Sequence, residues 1–195
     1  MTKTRLEAFS DAVIAIIITI MVLEFETPEA ADWDALNMMT PPFLAYALSF
    51  FYLAIYWNNH HHLLHAMQQL NGSVLWANMH LLFWLSLIPF ATAWTGEHYL
   101  EALPTAIYGV ILLLSAIAYW ILVHTIIACE GPHSRVRAAV GGDAKGKISI
   151  LIYAAAIPLA YVRPWIADAM YLSVALIWLI PDRRIERTLG LKRVS

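Results

Sequence analysis

The sequence predicts an all-α membrane protein with six transmembrane helices, on three observations. Of its 195 residues 61% are hydrophobic, and the mean hydropathy is +0.63, which is high for a soluble domain. Charged residues make up only 13% and fall in clusters between long apolar stretches. Almost all basic residues lie on one side of the resulting topology. We therefore expect residues 1–195 to form a single transmembrane domain.

The first predicted span, at 6–26, starts with charged residues. Its unbroken apolar run, 12–23, is about 18 Å long as a helix, whereas a bilayer core of about 30 Å needs roughly 20 residues. The span must therefore include Glu7 and Asp11, whose charges need protein or water around them. We interpret it as a retained helix rather than a secretory signal, because Asp11 interrupts the apolar run and no small-x-small cleavage site follows.

Five further spans follow from the apolar stretches, at 41–65, 73–96, 103–129, 148–163 and 164–181. Pro41, Pro42 and Pro104 fall at the starts of spans, where proline is tolerated. Pro164 separates the last two spans and predicts a sharp turn between them, because proline lacks a backbone donor and disfavours helix before it.

The basic residues predict the orientation of the chain. Eleven of the twelve Lys and Arg lie on one side, namely Lys3, Arg5, Arg135, Arg137, Lys145, Lys147, Arg183, Arg184, Arg187, Lys192 and Arg193. The positive-inside rule places both termini in the cytoplasm. The predicted outer face carries one basic residue, Arg163, and eight acidic residues: Glu24, Glu26, Glu29, Asp32, Asp34, Glu97, Glu101 and Asp168. Such a face attracts cations over about 8 Å, although acidic loops that are merely solvated fit the same pattern.

One face of the first helix carries a continuous apolar stripe. At 100° per residue this stripe comprises Phe9, Ala12, Ile16, Thr19, Ile20 and Leu23. It fits a packing seam against a neighbouring helix or lipid. It also fits several copies arranged around an axis, where rings of Ile and Leu form a dry constriction that gates a pore by excluding water.

The charges at the start of this helix need partners from elsewhere in the protein. Glu7 and Asp11 are like charges four residues apart, and such pairs repel on a helix surface. Arg5 is poorly placed to neutralise Asp11, because six residues turn a helix by about 240°. At the membrane edge we expect the two carboxylates to be protonated, solvated or neutralised by a cation that comes from another helix.

The segment RLEAFSD carries a family resemblance. Arg5, Phe9, Ser10 and Asp11 match the RxxxFSD signature that opens the first helix of the transmembrane protein 175 family of potassium channels. The chain resembles this family in architecture over about residues 3–185, although the signature itself lies in the first span.

This resemblance implies a potassium-permeable cation channel in a bacterial inner membrane, built as a homotetramer and lined by the first helix. The main constriction of the family lies five residues after the motif Asp, at Ile16 here, with further layers at Thr19 or Ile20 and at Leu23. The expected partners are other copies of the chain, the lipid bilayer and monovalent cations. No cofactor, bound metal, enzymatic activity or nucleic acid is expected. The Thr19 hydroxyl either faces the pore or bonds back to the carbonyl of Ala15.

A histidine-rich segment, WNNHHHLLHAM, ends the second span. His61 and His65 have the i, i+4 spacing of a metal-binding pair and resemble part of the histidine boxes of membrane di-iron oxygenases. The alternatives are polar partners for Glu7 and Asp11, a cytoplasmic proton sensor, or plain solvation. Polar residues of neighbouring helices complete the signature network in the family, and our candidates here are His60, His61 and Asn78.

Two other functions compete with the channel. A proton-coupled secondary transporter would relay protons through Asp11 and the histidine cluster, and a histidine-box membrane enzyme would bind iron or zinc. The sequence lacks an evident internal repeat, which disfavours an inverted-repeat transporter. It also lacks a TVGYG-like filter, an Arg-rich voltage sensor and a phosphate-binding loop.

Overall fold

A computed structural model describes residues 2–141 and 143–179, and all regular structure in these ranges is helical. The helices are α1 (Lys3–Leu23), α2 (Trp33–Met38), α3 (Thr40–Ala66), α4 (Gly72–Leu85), α5 (Ile88–Glu97), α6 (Ala102–Glu130), α7 (Arg135–Val140), α8 (Ala144–Ala160) and α9 (Pro164–Leu179), with a 3₁₀ turn at Gly131–His133. The all-α fold class is thus confirmed. The basic residues used above from Arg183 to Arg193 lie outside the described residues.

Three segments of the described chain are long and apolar enough to cross a membrane. These are Lys3–Leu23, Gly72–Glu97 and Ala102–Glu130, and the shorter Pro164–Leu179 is also apolar. By length and composition these segments could span a membrane, while the count of six spans stays a prediction. Helices α3 and α6 extend one residue beyond the predicted 41–65 and 103–129 at each end.

The first helix begins and ends three residues before the predicted 6–26. It begins early because the Thr2 side chain accepts a hydrogen bond from the Arg5 backbone N–H and caps the helix. It ends at Leu23, so the acidic residues that follow lie outside α1. Similarly, α8 begins before the predicted 148 because Asp143 caps it through the Gly146 N–H. Burial raises the pKa of Asp143, and that same backbone hydrogen bond opposes the rise.

The predicted third span, 73–96, is interrupted in the structure. Helix α4 ends at Leu85 and α5 begins at Ile88, with Ser86 and Leu87 in the break. Pro89 in the first turn of α5 explains this difference, because proline cannot donate the backbone hydrogen bond that would continue α4. The C-terminal part of this segment is therefore a separate short helix.

Helix α6 lies at the centre of the chain, with α4, α5, α8 and α9 packed around it. Helix α1 lies to one side and contacts α3, α4 and α5. Its face toward the rest of the chain is buried and consists of Leu6, Ser10, Ile14, Ile17 and Met21. The bundle therefore holds α1 along one face and leaves the opposite face uncovered by its own chain.

Gly109 allows a close approach between α6 and α9. A Cβ atom at this position would overlap the Tyr171 hydroxyl oxygen and lie 2.7 Å from its Cζ. Tyr171 is completely buried, and its hydroxyl donates to the Thr105 carbonyl at 3.1 Å, so the ring has no free space to move into. We expect Gly109→Ala to lower the free energy of unfolding by about 1–3 kcal/mol. Thermal unfolding in detergent tests this.

Gly72→Ala is the matched control for Gly109→Ala. A Cβ atom at Gly72 would meet no neighbour within 4 Å, so the same added methyl group should leave the melting temperature nearly unchanged. Equal melting temperatures for the two variants would contradict the close packing of α6 on α9.

Candidate functional site

The stripe that the sequence places on one face of α1 is exposed in the folded chain. Ile16 is 55% exposed, Ile20 38% and Leu23 80%, and Thr19 is exposed beside them. The buried face of α1 lies about 120° around the helix from Ile16 at 100° per residue. The chain thus presents a row of large apolar side chains that it does not cover itself.

The Thr19 hydroxyl bonds back to its own helix. Its Oγ1 donates to the carbonyl of Ile16 at 2.9 Å, one residue away from the Ala15 carbonyl that the sequence suggested. Because an i−3 and an i−4 carbonyl both lie within reach of a helical threonine, its χ1 rotamer selects between them. This bond uses the only hydroxyl proton of Thr19. The hydroxyl oxygen therefore remains available on the exposed face as an acceptor.

The N-terminal half of α1 is held by a buried polar bridge. Asn78 on α4 donates from Nδ2 to Ser10 Oγ at 3.0 Å, and its Oδ1 bonds His60 Nε2 on α3 at 2.7 Å. All three side chains are completely buried. Since Oδ1 only accepts, His60 carries its proton on Nε2 when neutral. The structure thus brings together three of the predicted residues and ties α1 to α3 and α4.

Asp11 has a different partner from the one expected. Its Oδ1 accepts a hydrogen bond from the indole N–H of Trp57 at 3.0 Å, and within the described ranges no cation pairs with it. The expected neutralising cation for Asp11 stays a prediction. The indole N–H of Trp57 is a neutral donor to this carboxylate.

Arg5 and His61 do not join the buried bridge. Arg5 is exposed, and no hydrogen bond or ion pair of its guanidinium occurs in the described part of the chain. At 100° per residue it lies near the line of the stripe, which is why it cannot hold α1 to its own bundle. The His61 ring stacks between Trp57 and His65, with centroids 6.0 and 6.3 Å away.

Lys3 makes a contact that sequence reasoning missed. Its Nζ donates to the carbonyls of His65 at 2.7 Å and Met67 at 2.9 Å, at the end of α3. A cation at the carbonyl end of a helix is favourable, because that end carries partial negative charge. The sequence shows the charge of Lys3, but it does not show that the end of α3 lies beside this residue in the fold.

The histidines do not form a metal-binding cluster in the described residues. No three His, Cys, Asp or Glu side chains in those ranges are grouped closely enough to hold an ion. His80 and His124 instead bond within their own helices, to Trp84 Nε1 and the Trp120 carbonyl, each at 2.9 Å. The histidine-box alternative therefore lacks a ligand set in this part of the chain.

Comparisons with known proteins identify the family. A family model described as "Endosomal/lysosomal potassium channel TMEM175" matches residues 5–89, which include the signature and the bridge of Ser10, His60 and Asn78. A protein from Chryseobacterium sp. named as a potassium channel is 55% identical over 189 residues, covering 97% of this chain and 98% of the relative. The chain belongs to the TMEM175 family. The membership predicted from the signature is confirmed.

Other relatives of this TMEM175 protein agree. A protein from Streptomyces collinus named as a potassium channel is 30% identical over 156 residues, covering 70% of this chain and 76% of the relative. A crystal structure described as a lysosomal potassium-selective channel TMEM175 homolog from Chamaesiphon minutus aligns with a TM-score of 0.79 and 26% identity, covering 91% of this chain and 96% of that one. The family is one of ion channels, so the prediction that the protein is not an enzyme is confirmed.

Proposed function

We propose that this TMEM175 protein is a potassium channel whose conduction path is lined by α1. The observation that carries the proposal is the exposed row of Ile16, Ile20 and Leu23 on a helix whose opposite face is fixed to its own bundle. A relative matched over nearly the whole chain is named as a potassium channel, which supports K⁺ as the permeant ion.

The proposed assembly is a homotetramer, as the family resemblance implies. One chain supplies a single copy of α1, and one helix cannot enclose a conduit. Four copies around an axis would bring the exposed stripe together with its own equivalents in a closed symmetric assembly. The same arrangement would place Arg5, on the line of the stripe, toward the inner entrance.

The proposed constriction is formed by rings of apolar side chains at Ile16 and at the layers of Ile20 and Leu23. Such rings offer no ligands to an ion, so they resist conduction by excluding water rather than by selecting ions. Selectivity among alkali cations should therefore be modest. The Thr19 oxygen lies between these layers and adds acceptors for a partly dehydrated K⁺.

The proposed orientation has both termini on the cytoplasmic face of a bacterial inner membrane. Lys3, Arg5 and the basic residues of the loop between α6 and α8 support it through the positive-inside rule. The acidic segment after α1 then faces outward and concentrates cations at the outer entrance.

A reversal-potential measurement in planar bilayers or liposomes tests the proposed function. With a K⁺ gradient across the membrane and Na⁺ opposite, we expect discrete single-channel currents that reverse toward the K⁺ equilibrium potential. A proton-coupled transporter would instead give saturable K⁺ uptake that requires a pH gradient and shows no unitary currents. That result would overturn the channel.

A further inference from the structure

Three hydroxyl groups form a buried chain in the outer half of the subunit. Tyr108 on α6 bonds Ser49 on α3 at 2.9 Å, and Ser49 lies 2.6 Å from Thr92 Oγ1 on α5. Thr92 in turn donates to the carbonyl of Ile88 at 2.7 Å. The three hydroxyl-bearing residues are at most 5% exposed. The hydroxyl chain lies apart from the Ser10–Asn78–His60 bridge and shares no residue with it.

One arrangement of the hydroxyl protons satisfies every link of the hydroxyl chain. Each hydroxyl carries one proton, and a carbonyl only accepts. With the Thr92 proton on the Ile88 carbonyl, Ser49 must donate to Thr92, and Tyr108 must donate to Ser49. Every link is then satisfied in one arrangement. Such a fully paired buried network is rigid, because breaking any link leaves a polar group unpaired in an apolar interior.

The Thr92 end of the hydroxyl chain contacts α1, the proposed pore helix. Thr92 Oγ1 lies 3.9 Å from the sulfur of Met21, which is 3% exposed and sits on the buried face of α1. Met21 is adjacent to Ile20 and two residues from Leu23, the outer layers of the stripe. Thr92 and Met21 also line the same outer cavity, beside Glu24 and Glu97.

The break before α5 makes this contact consequential. Because α5 is separated from α4 at Ser86 and Leu87, its position relative to α1 is not dictated by the inner bridge at Asn78. The hydroxyl chain instead attaches α5 to α3 and α6. If α5 moved laterally, Thr92 would move with it, and its contact with Met21 on α1 would shift.

We infer that Thr92, Ser49 and Tyr108 are positioning residues of the channel, which set where the outer third of α1 sits and thereby the width of the Ile20 and Leu23 layers. This inference rests on the proposed function, since it gives α1 the role of lining the pore. None of the three contacts the ion. They act on the position of α1 through the contact between Thr92 and Met21.

The test uses two variants that remove a hydroxyl while keeping shape, Thr92→Val and Tyr108→Phe. Both should change unitary K⁺ conductance by about threefold or more, within the range of coupling that packed networks carry. Tyr52→Phe is the matched control, because the buried Tyr52 hydroxyl donates to the Tyr171 carbonyl between α3 and α9, away from α1. It should lower stability with conductance unchanged. Equal conductance in all three variants and the wild type would reduce the hydroxyl chain to a purely structural role.

A thiol probe separates this inference from the pore itself. In a Cys129→Ala background, Leu23→Cys is treated with a charged methanethiosulfonate from the outer side, with and without Thr92→Val. We expect modification in both, at rates that differ by about threefold or more. Equal rates would overturn the positioning role alone. No modification in either would show that Leu23 does not face water, which would overturn the proposed pore and this inference with it.

Discussion

Replacing Ile16 by asparagine is expected to raise K⁺ flux through reconstituted channels by about tenfold, because lowering a barrier by about 1.4 kcal/mol changes a rate by that factor. The isoleucine side chain is 55% exposed on the stripe and cannot hydrogen-bond water. An amide of similar length holds water by both its donors and its acceptor, so a ring of four should remove the dewetting barrier. Flux assays in liposomes and unitary conductance measure the effect.

Val22→Asn is the matched control for this substitution. Val22 is 48% exposed on the same helix but lies about 120° around from Ile16, away from the stripe. The same amide there should leave flux at the wild-type level. Equal flux in the Ile16→Asn and Val22→Asn proteins would remove Ile16 from the conduction path and return the stripe to a lipid-facing role.

The exposed stripe could be predicted from the sequence because it depends on helical geometry alone. Once α1 is a helix, Ile16, Ile20 and Leu23 must share a face. Which face the bundle buries was harder to predict, since nearly every position of this helix is apolar and its periodicity therefore carries little contrast. Ser10 supplied the missing contrast, because a polar side chain within an apolar helix indicates the side that meets a neighbour.

The partners of the signature residues could be predicted only in part, because they come from distant segments. Asn78 was proposed as a partner because polar residues of neighbouring helices complete the signature network in the family, and the structure shows its side chain bonded to Ser10. Trp57 offered no comparable signal, since an indole near a span end is typical of an interfacial aromatic belt. The link between Ser49 and Thr92 joins residues 43 positions apart and depends on the break before α5, which a hydropathy window does not resolve.

Asn78→Leu is expected to have the largest effect on stability in this protein. Leucine matches asparagine closely in volume but removes the acceptor for His60 Nε2 and the donor to Ser10 Oγ, both completely buried. Each orphaned group costs about 1–3 kcal/mol. The same loss recurs in every subunit of an oligomer, so we expect a lower melting temperature and a reduced yield of assembled protein by size-exclusion chromatography.

Two comparisons identify the bridge as the cause of that loss. Asn59→Leu makes the same chemical change on α3, where Asn59 donates to the Ile55 carbonyl of its own helix at 2.8 Å, and it should cost far less because it joins no second helix through that bond. Adding Ser10→Ala to Asn78→Leu removes one of the orphaned groups, so the double variant should be more stable than the sum of the single losses predicts. Strictly additive losses would mean that Ser10 and Asn78 act independently, and the bridge would then not be the cause of the loss.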